Sequence, residues 1–168
     1  IFADGLKIYT TLNYDMQVYA EEAMTQNMKR VQKQFDAHWK NQNPWIDGNK
    51  KEIPNFLENV IRKSWYYSRL SAKYKGNQDS IDYYINERRA QKLFSWKGDI
   101  DTVCSFVEAT NYLKRLLHSG LVAIEPETGA IKAYVGGLDY NHFKYDNVRS
   151  MRQPGSSFKT FVYTAAMA

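Results

Sequence analysis

Apolar residues recur at every third or fourth position near the start of the chain. They are Met16, Ala20, Met24, Met28, Val31 and Phe35. This spacing predicts one apolar stripe along a helix that ends near Lys40, with Asn13 as its N-terminal cap. A stripe of this length must be covered by other parts of the chain. The length of 168 residues and the apolar content of 43% are sufficient for such a core.

Two strand-like runs near the other end predict a β-hairpin. The runs are Leu121–Ile124 and Ala130–Val135, and a five-residue loop with Pro and Gly separates them. The alternating run Leu6–Leu12 predicts an additional strand. The expected fold class is therefore α+β, with helices packed against a hairpin and one further strand.

Between these ends the pattern is mainly helical. We predict helical structure over Pro54–Tyr74, a helix capped by Asp79 that continues to about Gln91, a short strand over Leu93–Trp96, and a helix over Val103–Leu117. Cys104 would lie in that last helix as a small buried apolar residue. We expect three parts along the chain, namely residues 1–35, 36–100 and 101–168.

Composition excludes several classes of protein. No apolar run approaches the roughly 18 residues that a membrane-spanning helix needs, and the mean hydropathy is −0.61. A single cysteine excludes an intrachain disulfide, and three separated histidines make a zinc site improbable. Any membrane anchor is therefore expected outside these residues.

The net charge of +5 is concentrated in one stretch. Residues 50–75 contain seven basic and two acidic residues, a surplus equal to that of the whole chain. Such a patch could meet nucleic acid, an anionic membrane surface or an acidic polymer, but a solvated helix face is the commoner case. The four tryptophans could form a sugar-stacking surface, and we expect them to pack in the core instead. They are Trp39, Trp45, Trp65 and Trp96.

Ser156 and Lys159 lie three residues apart at the start of a predicted final helix. This spacing places both side chains on one helical face. A serine hydroxyl becomes a good nucleophile when a base removes its proton, and a neutral lysine amine can act as that base. Burial of Lys159 would favour the neutral amine. The spacing alone fits a serine that merely caps the helix equally well.

The same helix has apolar residues at Phe158, Phe161, Val162 and Ala165. Because these positions share one face, we expect that face to be deeply buried.

Longer strings carry a resemblance to a known family. The string RQPGSSFK at residues 152–159, followed by TFVY, resembles the active-serine motif of class A penicillin-binding proteins. The string GLVAIEPETGAIKA at residues 120–133, continued by VGG at 135–137, resembles the strands before that serine. GLKIYTTL at residues 5–12, with Gln17 and AEEA at 20–23, resembles the entry into the same region.

The resemblance implies a serine D,D-transpeptidase that cross-links peptidoglycan. Ser156 would attack the carbonyl between two terminal D-alanines of a stem peptide, and Lys159 would take the hydroxyl proton. The partners implied are stem peptides, β-lactams and proteins of cell-wall synthesis, without nucleic acid. No metal or organic cofactor is implied. The family further implies an extracytoplasmic location, a membrane anchor and a glycosyltransferase domain outside this chain.

Two family motifs do not occur in these residues, namely the S-x-N triplet and the K-[TS]-G strand. We therefore expect an incomplete transpeptidase-like domain that is catalytically silent by itself. Thr160 also stands where the family often has proline. The alternatives are a carboxypeptidase or β-lactamase with the same serine–lysine pair, and a non-catalytic interaction module carried by residues 36–100.

Overall fold

The computed structural model describes residue 5 and residues 7–167. The helices there are α1 (Tyr14–His38), α2 (Phe56–Arg62), α3 (Trp65–Lys73), α4 (Gln78–Asn86), α5 (Phe106–Lys114) and α6 (Lys159–Met167). The strands are β1 (Arg89–Leu93), β2 (Ile100–Cys104), β3 (Leu121–Ile124) and β4 (Ile131–Val135). The predicted α+β class is confirmed. None of the helices in the described residues has the length and apolarity needed to cross a membrane.

Helix α1 packs along strand β4 of the predicted hairpin. Asn13 caps the helix by accepting a hydrogen bond from the backbone N–H of Met16 at 3.0 Å, as predicted. The buried core between the helix and the strand is made of Ala20, Met24, Met28, Ala133 and Val135. This core holds the hairpin against one face of a 25-residue helix.

Gln17 fastens α1 to the backbone of β4. Its side-chain carbonyl accepts from the N–H of Tyr134 at 2.7 Å, and its amide donates to the C=O of the same residue at 3.0 Å. The backbone N–H of Asn13 also donates to the C=O of Lys132 at 2.8 Å. A helix side chain thus supplies the two bonds that a neighbouring strand would otherwise supply.

Gln32 makes a second clamp at the other end of α1. Its amide donates to the C=O of Arg115 at 3.1 Å, and its side-chain carbonyl accepts from the N–H of Leu117 at 2.8 Å. The Arg115 guanidinium in turn donates to the C=O of Gln42 at 2.7 Å. After α1 ends at His38, the chain enters the middle region near residue 42 and returns near residue 115 at the same place. We call this closed junction the neck.

The helical stripe predicted on α1 is only partly the buried face. Met16 is exposed, whereas Gln32, which is absent from the predicted stripe, is 4% exposed. The reason is that Gln32 is fully hydrogen-bonded through its amide, so that a polar side chain is accommodated in the interior.

The middle of the chain has its own apolar core. Helices α2, α3, α4 and α5 enclose Ile61, Leu70, Ile81 and Ile85. The helical structure predicted over 54–74 is interrupted: the hydroxyl of Ser64 donates to the C=O of Ile61 at 2.6 Å and accepts from the N–H of Tyr67 at 3.2 Å. Ser64 therefore ends one helix and caps the next.

Helix α4 also differs from its prediction. The side chain of Asn77, rather than that of Asp79, caps it by accepting from the N–H of Ser80 at 2.9 Å. The helix ends at Asn86 because Glu87 adopts an extended backbone. The predicted end near Gln91 was wrong, and residues 89–93 form strand β1 instead.

A second hairpin, β1–β2, replaces two sequence predictions. Arg89 pairs with Cys104 and Leu93 with Ile100 in an antiparallel register. The predicted strand over 93–96 was therefore placed too late, and the helix predicted from Val103 begins only at Phe106. Ser105 caps α5 in a reciprocal capping box with Glu108. Cys104 is buried as expected, but in a strand.

Residues 7–12 do not form the predicted additional strand, and Leu6 lies outside the described residues. A strand requires a ladder of backbone hydrogen bonds to a neighbour. Here the contact is instead a side-chain one, in which the Thr11 hydroxyl donates to the C=O of Ile131 at 2.7 Å.

The segment after β4 is anchored by a tyrosine–aspartate pair. The Tyr134 hydroxyl donates to Asp146 Oδ2 at 2.5 Å, and Asp146 Oδ1 accepts from the N–H groups of Val148 and Arg149 at 3.0 and 3.2 Å. The Tyr134 hydrogen bond lowers the pKa of Asp146, and the same bond raises the pKa of Tyr134. Gly120 packs closely against this segment, since a Cβ added to Gly120 would be 2.8 Å from a Val148 methyl group.

Loss of the Gln32 clamp should destabilise the protein. Gln32→Leu keeps the volume but leaves the N–H of Leu117 and the C=O of Arg115 without partners, at a cost of about 1–3 kcal/mol. The measurement is the free energy of unfolding from denaturant titration. Gln26→Leu, at an exposed position of the same helix, is the control and should change it by less than about 0.5 kcal/mol. Equal effects of the two variants would contradict the clamp.

The Tyr134–Asp146 pair should make stability depend on pH at both ends of the scale. The contribution of Asp146 is present above its unfolded pKa, about 3.9, and is lost as the pH falls through the lower folded value. The contribution of Tyr134 is present below about pH 10 and is lost as the pH rises through its higher folded value. We expect Asp146→Asn and Tyr134→Phe each to flatten both limbs of stability against pH, because each variant removes the bond that shifts both pKa values.

The control for this titration is Asp101→Asn, at an exposed position of β2. It should keep the acid limb of the wild type. An unchanged acid limb in Asp146→Asn would show that the pair does not contribute.

Candidate active site

Asn147 holds in place the chain segment that leads from β4 to the serine motif. Its backbone N–H and its side-chain amide donate to the C=O of Gly136 at 2.7 and 3.0 Å. Its side-chain carbonyl accepts from the guanidinium of Arg152 at 3.2 Å, and its backbone C=O accepts from the Ser150 hydroxyl at 3.0 Å. One residue therefore joins the end of β4 to the first residue of the RQPGSSFK string.

Ser156 and Lys159 lie at the junction of two helical elements. Gly155–Phe158 is a 3₁₀ turn that contains Ser156, and Lys159 is the first residue of α6. The backbone N–H of Lys159 donates to the C=O of Ser156. Gly155 has a φ of +55°, in the left-handed region that favours glycine, and this sharp entry turns the chain into the helix. The predicted tight turn before a final helix is confirmed.

Ser156 does not act as a helix cap in this structure. The capping position is Pro154, which has no side-chain capping bond. Within the described part of the chain, no side-chain hydrogen bond of Ser156 and no ion pair of Lys159 is formed.

The described residues do not bury the apolar face predicted on the final helix, a face that was expected to need the remainder of the domain. All residues from Met151 to Met167 are exposed, and Phe161 retains 69% of its accessible surface. The apolar periodicity does produce one face, on which the rings of Phe158 and Phe161 lie 5.7 Å apart. No other described element covers that face enough to bury a residue of it, so Lys159 lies in solvent rather than in the expected apolar surroundings.

A well-formed cavity lies elsewhere, away from the serine turn. It has a volume of about 520 Å³ and is formed between α1 and the segment after β4, with Glu21, Tyr134 and Asp146 among its lining residues. Ser156 and Lys159 do not line it. Within the described residues, no group of three or more His, Cys, Asp or Glu side chains could hold a metal ion.

The residues that position the segment between β4 and the serine string were not predicted from the sequence. Asp146 and Asn147 lie in what the sequence presents as a polar loop, and only their long-range partners reveal their role. The adjacent Asp-Asn pair, a common turn former, was the available signal. The His142 ring also contacts Asp99 at 2.8 Å, which links this segment to the middle of the chain.

Comparison with known proteins places these features in a family. The family model described as "Penicillin-binding protein middle domain" matches residues 40–117. Those bounds coincide with the neck formed by Gln32, Gln42 and Arg115. No solved structure matches the chain.

Curated relatives cover almost the whole chain. Penicillin-binding protein 1A of Aquifex aeolicus is 30% identical over 178 residues, which span 96% of this chain and 23% of the relative. The proteins of the same name from Neisseria flavescens and Neisseria cinerea are 28% and 25% identical, each across 99% of this chain and 24% of the relative. The chain thus spans about a quarter of the length of these relatives. Since the serine string, the hairpin and the middle region all fall within the matched residues, the chain belongs to the class A penicillin-binding protein family.

Proposed function

We propose that the protein is a peptidoglycan D,D-transpeptidase in which Ser156 is the nucleophile and Lys159 the general base. The observation that carries the proposal is the placement of the RQPGSSFK string on an exposed 3₁₀ turn, directly before a helix. The Ser156 hydroxyl there has no described hydrogen bond that would have to be broken. The family membership supports a role in peptidoglycan synthesis.

The reaction is an acyl transfer in two steps. The Ser156 hydroxyl oxygen bonds to the carbonyl carbon between the two terminal D-alanines of a stem peptide, while its proton passes to the Lys159 amine. The peptide C–N bond breaks, and the last D-alanine leaves after its nitrogen takes that proton. The amine of a neighbouring stem peptide then attacks the ester, releases Ser156 and forms the cross-link. β-Lactams would acylate the same oxygen.

The surroundings of the turn would assist these steps. The backbone N–H of Ser156 would be one donor to the developing oxyanion, and preorganised donors of this kind commonly contribute a large share of catalysis. Lys159 is a base only as the neutral amine. Desolvation favours that neutral form in general.

The location and the further activity of the protein belong to this proposal. Class A relatives support an extracytoplasmic protein that is held at the membrane and that also polymerises glycan strands. We propose stem peptides and β-lactams as ligands, with proteins of cell-wall synthesis as partners.

The nucleophile can be identified by mass spectrometry. We expect the full-length protein, incubated with penicillin, to gain one penicilloyl group that peptide mapping places on Ser156. Ser156→Ala should abolish this adduct, and Lys159→Ala should slow acylation by about 10²–10⁴-fold, the usual contribution of a general base.

Ser157→Ala is the matched control, because Ser157 is a neighbouring serine in the same turn. It should be acylated like the wild type. Retention of the adduct in Ser156→Ala, or its loss in Ser157→Ala alone, would overturn the assignment.

A further inference from the structure

An open groove crosses the surface of the middle region between α3, α4 and the start of β1. Two adjoining cavities of about 320 and 330 Å³ form it, and they share Tyr66, Tyr84 and Arg89. We call this surface the aromatic–basic groove. Its aromatic and basic lining residues are Trp65, Tyr66, Arg69, Lys73, Tyr74, Tyr84 and Arg89, and Glu87 is the acidic residue that lines it with them.

The cations of the groove are positioned by aromatic rings. The Lys73 ammonium lies 5.0 Å from the ring centre of Tyr74 and 5.8 Å from that of Tyr84. The Arg89 guanidinium lies 5.9 Å from the ring centre of Tyr66 and 5.8 Å from that of Tyr84. Such contacts orient a cation without neutralising it.

Most of this positive charge is uncompensated. Arg89 is paired with Glu87 at 2.5 Å, but neither Arg69 nor Lys73 forms an ion pair within the residues that the structure describes. The groove therefore presents a positive potential to solvent.

Among the aromatic side chains of the groove, that of Trp65 is largely exposed, whereas the three tyrosines are half-buried. Trp65 is 70% exposed, although a tryptophan is ordinarily well buried. The prediction that it packs in the core was therefore wrong. The rings of Tyr74 and Tyr84 stack at 4.9 Å with 15° between their planes. Below them lie Leu70 and Ile81 of the middle core, so the groove has a packed floor.

We propose that the aromatic–basic groove binds an anionic glycan, with a sugar ring stacked on Trp65 and with acidic groups paired to Arg69 and Lys73. Sugars present flat C–H faces that aromatic rings can cover, while carboxylates and phosphates are the usual partners of arginine and lysine. The proposal rests on the proposed function, because a cell-wall enzyme works on such polymers. The role is a holding site for the polymer, separate from Ser156.

Two sources share this ligand chemistry. Glycan strands with stem peptides carry carboxylates, and other envelope polysaccharides carry phosphates. The groove is formed by two adjoining open cavities, and this extended shape indicates a polymer rather than one small anion. We commit to an acidic polysaccharide and let the experiment separate carboxylate from phosphate.

The test measures binding to the full-length protein with four soluble probes. These are muramidase-released peptidoglycan oligomers, phosphomannan, uncharged chitohexaose and poly-glutamate. We expect one or both acidic glycans to bind more tightly than chitohexaose and poly-glutamate, because only they combine ring faces with charge. Tighter binding of peptidoglycan oligomers would identify a carboxylate-bearing glycan as the ligand, and tighter binding of phosphomannan a phosphate-bearing one.

Single substitutions test the groove itself. Trp65→Ala and Lys73→Gln should each weaken acidic-glycan binding by roughly tenfold, the effect of losing one such contact. The matched controls are Tyr19→Ala, at an exposed aromatic of α1, and Lys63→Gln, at an exposed lysine outside the groove. Both controls should bind like the wild type.

Several results would overturn the proposal. They are an absence of acidic-glycan binding, groove variants that bind like the wild type, and poly-glutamate that binds as tightly as the glycans, which would indicate an acidic protein partner. Penicillin acylation of Ser156 is measured in the same samples and should be unchanged in the groove variants. Failed acylation with intact glycan binding would reject the catalytic proposal alone. Intact acylation without glycan binding would reject the groove proposal alone.

Discussion

The neck is the junction on which the rest of the architecture depends. Gln32 lies on α1 yet hydrogen-bonds to the backbone at residues 115 and 117, and Arg115 reaches back to residue 42. Because both ends of the middle region meet there, the region can carry its own core while α1 and the β3–β4 hairpin form another. Buried amide groups pay a heavy penalty unless bonded, so the junction is specific in geometry.

The serine turn and the aromatic–basic groove are attached to the two different cores. The serine turn continues from the α1–hairpin body through Tyr134, Asp146 and Asn147, which fix where the chain leaves β4. The aromatic–basic groove belongs to the middle region, on a floor that includes Leu70 and Ile81. A polymer held in the groove and a reaction at Ser156 would therefore engage parts of the chain that pack around different cores.

Local signals predicted the local structure. Asn13 and the apolar stripe identified α1, and the β3–β4 hairpin followed from its loop and flanking strands. Prediction was wrong where one residue broke a continuous apolar pattern, as Ser64 does, or where a helical pattern overlapped a strand, as at Val103 and Cys104. Within the candidate site, the serine string was visible in the sequence. The clamp by Gln32 and the exposure of Trp65 depend on residues distant in sequence, so periodicity could not indicate either.

The contacts that α1 makes with β4 also determine at which edge of the hairpin a further strand could pair. Gln17 occupies the outward N–H and C=O of Tyr134, and Asn13 occupies the C=O of Lys132. A further strand could not add along that edge without displacing the helix. Along β3, the outward backbone groups of Val122 have no partner among the described residues. Any strand that extends this sheet would therefore pair with β3. The helix thereby determines the order of strands in a larger sheet.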